Sequence, residues 1–153
     1  MCAEKKLNKP GFIRSLLTLK CTRCRKGNMF KKNNSYDLKH FMEMHEKCLE
    51  CGQPMDIEVG FYYGTGYVSY TLTIALSVAT FFAWWFFIGI SANDNMIFWW
   101  LGINTGILKL LQPYLMRLSR TMWLSFFVKY NPNWKFEKAE KPERMVAEEM
   151  NNW

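Results

Sequence analysis

Charge is missing from a long part of this chain. Between Val59 and Asn93 there is no Asp, Glu, Lys or Arg, although the 153 residues hold 20 Lys/Arg and 13 Asp/Glu elsewhere. So long an uncharged run cannot form the surface of a small globule, because a helix there is apolar all round. Histidine is scarce as well, with 2 in all, and both (His40 and His45) precede the uncharged run. A proton relay, a haem ligand pair or a metal path across a membrane therefore has no carboxylate or imidazole to use. A phosphate loop, a dinucleotide fingerprint, paired catalytic carboxylates and a nucleophile–base–orienter set are absent too. There is no internal repeat and no low-complexity tract, which excludes fibrous and fully disordered classes. The first ten residues are polar and carry no cleavage pattern, so no signal peptide is expected.

Aromatic residues, by contrast, make up 17% of the chain, with 12 Phe, 7 Trp and 7 Tyr. Tyr62, Tyr63, Tyr67 and Tyr70 precede the longest apolar run, and Trp84, Trp85, Phe86 and Phe87 close it. That distribution predicts two interfacial belts around a membrane span at about 67–90. A second span is predicted at about 96–116, marked by Trp99 and Trp100 at one end and Arg117 at the other. The short turn between them makes the two spans antiparallel neighbours. The expected fold is a mainly α membrane protein: a two-helix transmembrane hairpin with a small N-terminal four-cysteine module and a C-terminal interfacial helix. By segment, 1–20 is a leader with a short amphipathic stretch, 21–58 the cysteine module, 59–117 the hairpin, 118–130 the interfacial helix and 131–153 a charged tail, solvated or partner-bound. The apolar stretch from Phe12 to Leu19 is too short to span; it either lies among headgroups or packs on the cysteine module.

Residues 1–58 carry twelve Lys/Arg and seven Asp/Glu, a net +5. The turn near Asp94 contributes −1, and the eight Lys/Arg and five Asp/Glu from Met96 onward contribute +3, which sums to the stated +7. Basic ends resist translocation, so both termini are expected in the cytoplasm. The basic residues are interleaved with acids rather than set in one stripe, which argues against a nucleic-acid partner.

Five cysteines occur. Cys2 stands alone; Cys21-Thr22-Arg23-Cys24 and Cys48-Leu49-Glu50-Cys51-Gly52 are two pairs, each offering two sulfurs. Four sulfurs close a tetrahedral site, and in a reducing compartment a metal thiolate is favoured over disulfides. The expectation is structural Zn²⁺ on Cys21, Cys24, Cys48 and Cys51, with an iron site or a redox dithiol as alternatives. Gly27 and Gly52 follow the pairs, where glycine lets backbone amides turn toward sulfur. Arg23, Arg25 and Lys26 would offset the negative charge of a tetrathiolate. The segment His40-Phe41-Met42-Glu43-Met44-His45 could hold a soft metal, or simply pack.

Within the second span, Lys109 is expected to snorkel toward headgroups or to meet an acidic partner. Pro113 is expected to kink the helix. Arg117, Arg120 and Trp123 are read as lipid-headgroup contacts. Gly102, Asn104 and Gly106, with Ser69, Thr73 and Ser77 on the first span, form small or polar faces that pack the hairpin or dock a partner.

Taken together, Cys21-Thr22-Arg23-Cys24-Arg25-Lys26-Gly27, Cys48-x-x-Cys51-Gly52, Gly60-Phe61-Tyr62-Tyr63-Gly64, Arg117-Leu118-Ser119-Arg120 and Val128-Lys129-Tyr130-Asn131-Pro132 resemble the bacterial "domain of unknown function 983" membrane proteins, in particular their Bacteroidetes-type members. The likeness covers about residues 15–132. It implies a zinc-ribbon-like head on a two-helix hairpin in the bacterial inner membrane. Some members are encoded among haem–copper oxidase and assembly genes, which points to respiratory-complex assembly. The expected function is therefore a non-enzymatic, zinc-binding accessory subunit or assembly factor, with membrane lipids and another integral membrane protein or complex as partners. Metal handling or thiol redox chemistry at the membrane surface is the alternative.

Overall fold

The computed structural model of the protein describes residues 11–58, 60–89 and 95–139. Among them are three α-helices, α1 (Phe12–Leu17), α2 (Thr65–Ile88) and α3 (Met96–Phe127), with a 3-10 turn over Phe61–Gly64 leading into α2. Strands are absent among the described residues; antiparallel pairing is limited to isolated bridges between Lys20 and Asn28, Phe30 and Met44, and Lys47 and Pro54.

No proline, glycine or acidic residue interrupts α2 from Tyr67 to Ile88, so backbone bonding proceeds for six turns. Phe61–Ile88 contains an apolar stretch of 18 residues, none of which is buried inside the protein. It is long and apolar enough to cross a membrane. α3 runs antiparallel to it. Ser69 Oγ donates to Ser119 Oγ at 3.2 Å, Thr80 Oγ1 donates to Asn104 Oδ1 at 3.0 Å, and Phe81 meets Trp100 edge-on at 5.2 Å, so rising numbers on α2 pair with falling numbers on α3.

One expectation is corrected here. The second span and the interfacial helix are one continuous helix of 32 residues that passes through Pro113. Losing one backbone bond and one donor at Pro113 does not outweigh the side-chain packing that holds the helix on both sides of it. Nor does α3 share the uninterrupted apolar character of α2: Asn104, Lys109 and Gln112 break it, and among the described residues the only helix that is long and apolar enough to span is α2. The loop 90–94 lies outside the described residues.

α3 has two environments. Its first half exposes Phe98, Trp99, Leu101 and Leu110. Its second half buries Leu115, Arg117, Leu118, Ser119, Thr121 and Leu124; Arg117 bonds the loops of the cysteine module and Leu124 enters its core. The core there joins Cys21, Cys24 and Cys48 to Met29, Phe30, Met55, Phe61, Leu124 and Trp134. α1 packs by one face: Ser15 is buried, and Tyr114 Oη donates to the Leu17 carbonyl at 2.8 Å, while Phe12, Ile13 and Leu17 stay exposed.

Candidate metal centre

Each cysteine pair is carried on a tight loop closed by its own backbone. The Arg25 amide donates to the Cys21 carbonyl at 2.8 Å, and the Gly52 amide donates to the Cys48 carbonyl at 2.9 Å. The bridges Lys20–Asn28 and Lys47–Pro54 bracket the two loops in the same way, and the Phe30–Met44 bridge ties one to the other. The residue after each second cysteine is left-handed, with φ +57° at Arg25 and +68° at Gly52. Gly52 adopts that conformation without steric cost, whereas Arg25 needs compensation. Its guanidinium lies 4.3 Å from the Tyr130 ring centroid and 5.3 Å from that of Phe12.

The loops bring all four sulfurs within 4.8 Å of one another. Cys21 Sγ lies 3.7 Å from Cys51 Sγ, and Cys24 Sγ lies 3.8 Å from Cys48 Sγ. A disulfide requires about 2.05 Å, so these are free thiols. Four sulfurs at about 2.3 Å from one ion stand about 3.8 Å apart along a tetrahedral edge, so the spacing found here is that of a metal site. Cys21, Cys24 and Cys48 are buried and Cys51 is half-buried. The backbone amides of Cys24, Gly27, Cys51 and Gln53 favour the thiolate forms of Cys21, Cys24, Cys48 and Cys51 in turn. Gly27 serves by its lack of a side chain: a Cβ there would stand 2.5 Å from Cys48 Sγ.

With protons alone, the four groups compete. Hydrogen bonding with Cys21 pulls Cys24 well below the ordinary thiol range and Cys48 down to about 7, while hydrogen bonding with Cys24, Cys48 and Cys51, together with burial, pushes Cys21 up. A divalent cation ends this competition by taking all four as thiolates. The cluster suits a metal ion such as zinc, held by Cys21, Cys24, Cys48 and Cys51. Four protein sulfurs leave no open coordination position.

The surroundings differ from the sequence-based expectation at several residues. Arg117, Arg120 and Trp123, read as headgroup contacts, turn inward to the loops of the module. Arg117 is 0% exposed; its Nε donates to the Phe41 carbonyl at 2.5 Å and its Nη1 to the Lys32 carbonyl at 2.9 Å, with its Cζ 4.8 Å from the Phe30 ring centroid. Arg120 Nη1 donates to the Met42 carbonyl at 3.2 Å. Trp123 Nε1 donates to the Phe61 carbonyl at 2.8 Å, and its ring fills the space beside Gly64 where a Cβ would stand 2.3 Å away. The physical reason is that irregular loops leave carbonyls unpaired, and a guanidinium satisfies several at once. Lys109 remains exposed.

Asn104 lies between the helices, donating to Ser77 Oγ at 3.2 Å as well as accepting from Thr80. Ser69 joins the same interface, whereas Thr73 Oγ1 bonds back to the Tyr70 carbonyl. Gly102 and Gly106 face open space. His40 Nδ1 pairs with Glu43 at 2.7 Å, and among the described residues the four cysteines are the one group of His, Cys, Asp or Glu side chains gathered closely enough to hold an ion. Cys2 lies outside the described residues.

Sequence reasoning missed Trp134, and it read Arg23 as offsetting thiolate charge where the structure has it holding the following segment. Arg23, buried, donates through Nη2 to the carbonyls of Glu137 and Lys138, each at 3.0 Å, and its own carbonyl accepts from the Asn131 amide at 3.2 Å. Trp134, 7% exposed, packs into the sulfur-containing core. The one available signal was an aromatic residue directly after the Asn131-Pro132-Asn133 turn. The start of the tail is thus clamped to the module, with Trp134 buried and residues 135–138 exposed.

Comparison with protein-family models, curated proteins and solved structures found no match.

Proposed function

We propose that this protein is a membrane-anchored metal-thiolate subunit that serves a larger membrane complex as accessory or assembly factor, with structural zinc in the four-cysteine site. The observation that carries this reading is the direct burial of that site against the continuation of the helical hairpin, through Leu124, Phe61 and Trp134. The metal module and the apolar anchor form one packed body, which is what a docking element needs and a freely exchanging metal carrier does not. The closed ligand set favours structure over catalysis. On this reading α2 and the first half of α3 cross the bacterial inner membrane, both termini lie in the cytoplasm, and the open face at Gly102 and Gly106 meets a partner helix. The family resemblance supports the same assignment.

The test is purification of the full chain from its own membranes in mild detergent, with elemental analysis and thiol alkylation. One zinc per chain, four protected thiols and a stoichiometric complex that Gly102→Leu/Gly106→Leu dissociates without releasing metal are expected. A lone metal-free monomer, or thiols that cycle reversibly to disulfide, would refute the proposal and favour redox chemistry.

A further inference from the structure

A cavity of about 240 Å³ opens between the end of α1, the first cysteine loop and α3, apart from the sulfur cluster. Lys20, Lys32 and Arg117 line it, together with Asn28, Asn33 and Thr18, and no carboxylate does. All six side chains can donate hydrogen bonds. The cations are already oriented. Lys20 Nζ donates to Asn28 Oδ1 at 2.5 Å, and Asn28 Nδ2 donates to Asn33 Oδ1 at 3.2 Å. Lys32 Nζ is held from outside the cavity by Asp37 at 2.8 Å, and the same carboxylate acts through space on Arg117, so one acid faces the three cations Lys20, Lys32 and Arg117.

Arg117 is the telling member. It is fully buried, its Nε and Nη1 are spent on loop carbonyls, and its Nη2 has no partner among the described residues. Carbonyl dipoles position a guanidinium but do not neutralise it, and a buried cation ordinarily has a counter-charge. We infer that this cavity binds a phosphoryl-type oxyanion, which sits between Lys20 and Arg117 and supplies that counter-charge. Two sources share this chemistry: a phospholipid headgroup and free phosphate. α1, which ends one residue before the cavity-lining Thr18, exposes Phe12, Ile13 and Leu17, an apolar surface for acyl chains if the oxyanion belongs to a lipid.

The test uses the full chain in detergent with its metal loaded and its metal content measured throughout. Asn33→Asp places a carboxylate inside the cavity without changing side-chain shape. Asn34→Asp adds the same charge to the neighbouring residue, which does not line the cavity and keeps its acceptor for the Tyr36 amide. Inorganic phosphate is titrated calorimetrically, and phospholipid retained from phosphatidylcholine bilayers with or without phosphatidylglycerol is read by native mass spectrometry. In one arm or the other, wild type and Asn34→Asp should bind alike while Asn33→Asp loses about tenfold or more in affinity or occupancy. Phosphate binding identifies a free-ion site, and selective retention of phosphatidylglycerol identifies a headgroup site. Binding in neither arm, binding unaffected by Asn33→Asp, or equal loss in both variants would overturn the inference. Because every sample is assayed with its metal in place, failure here leaves the proposed anchoring role standing.

Discussion

A guanidinium at full burial without a carboxylate beside it is costly, and Arg117 is retained because it gathers loop backbone that nothing else satisfies. Removing it uncaps the carbonyls of Lys32 and Phe41 together. Hydrogen bonds from a charged donor contribute about 1.5–3 kcal/mol each, so Arg117→Ala should destabilise the protein by about 3 kcal/mol. Lys109→Ala, at an exposed position on the same helix, should stay within about 0.5 kcal/mol. Thermal unfolding in detergent measures both, and equal losses would place Arg117 among ordinary surface cations. A second residue-scale effect concerns space rather than charge. A Cβ on Gly27 would meet Cys48 Sγ at 2.5 Å, so Gly27→Ala must displace one of the four clustered sulfurs. The variant is expected to bind zinc at least about tenfold more weakly, since ligand distances tolerate only about 0.2 Å of error. Competition with a chromogenic chelator reads that loss directly.

Among the elements, the hairpin and the 31–45 loop are held by different forces. Asn104 bridges to Ser77 and Thr80 from a buried position, and interhelical bonds of this kind contribute about 1 kcal/mol in a membrane. Asn104→Ala should therefore weaken the hairpin by about that amount. Gly102→Ala meets open space and should not. The loop carries ion pairs in addition to the bonds it receives from Arg117 and Arg120. Hydrogen bonding from Lys32 holds the Asp37 carboxyl below its usual range, and hydrogen bonding with His40 does the same for Glu43. Depressed carboxylates contribute stability above their unfolded pKa values, near about 4, and lose it as pH falls through the lower native values. Acid also releases thiolate-bound metal, so the contribution is isolated at neutral pH with Asp37→Asn/Glu43→Gln. Amides of residues 31–45 should then exchange faster with metal content unchanged. These elements were unequally legible from sequence. Cysteine spacing announced the sulfur cluster because metal geometry is local to two short loops. The joining of 96–116 to 118–130 was hidden because Pro113 and the basic residues mark a boundary only when nothing packs against them. Arg117 was misread because its acceptors are backbone carbonyls up to 85 residues away, and backbone carbonyls have no sequence signature.

At the scale of the whole molecule, the four-cysteine cluster reaches beyond the thirty residues around it. Its sulfurs share a core with Phe61 at the entrance to α2, Leu124 near the end of α3 and Trp134 in the following segment. Arg23, between two ligands, holds the carbonyls of Glu137 and Lys138. With zinc bound as proposed, withdrawing it would leave thiols that compete for protons in a buried space, and the loops carrying them would lose the about 10–16 kcal/mol that zinc binding supplies to comparable small modules. Arg23 then has no fixed position from which to hold the tail. The α2–α3 pairing at Ser77, Thr80 and Asn104 is remote from the sulfurs and has its own bonds. Chelation should therefore split the molecule into a loosened head and an intact hairpin. Far-ultraviolet circular dichroism should keep most of its helical signal, while hydrogen exchange and proteolysis rise sharply over residues 19–55 and 131–138. Zinc should restore protection in both segments together, because one clamp joins them. Recovery of the head without the tail would show that Arg23 is incidental, and a collapse of helical signal would show that the hairpin needs the metal as much as the head does.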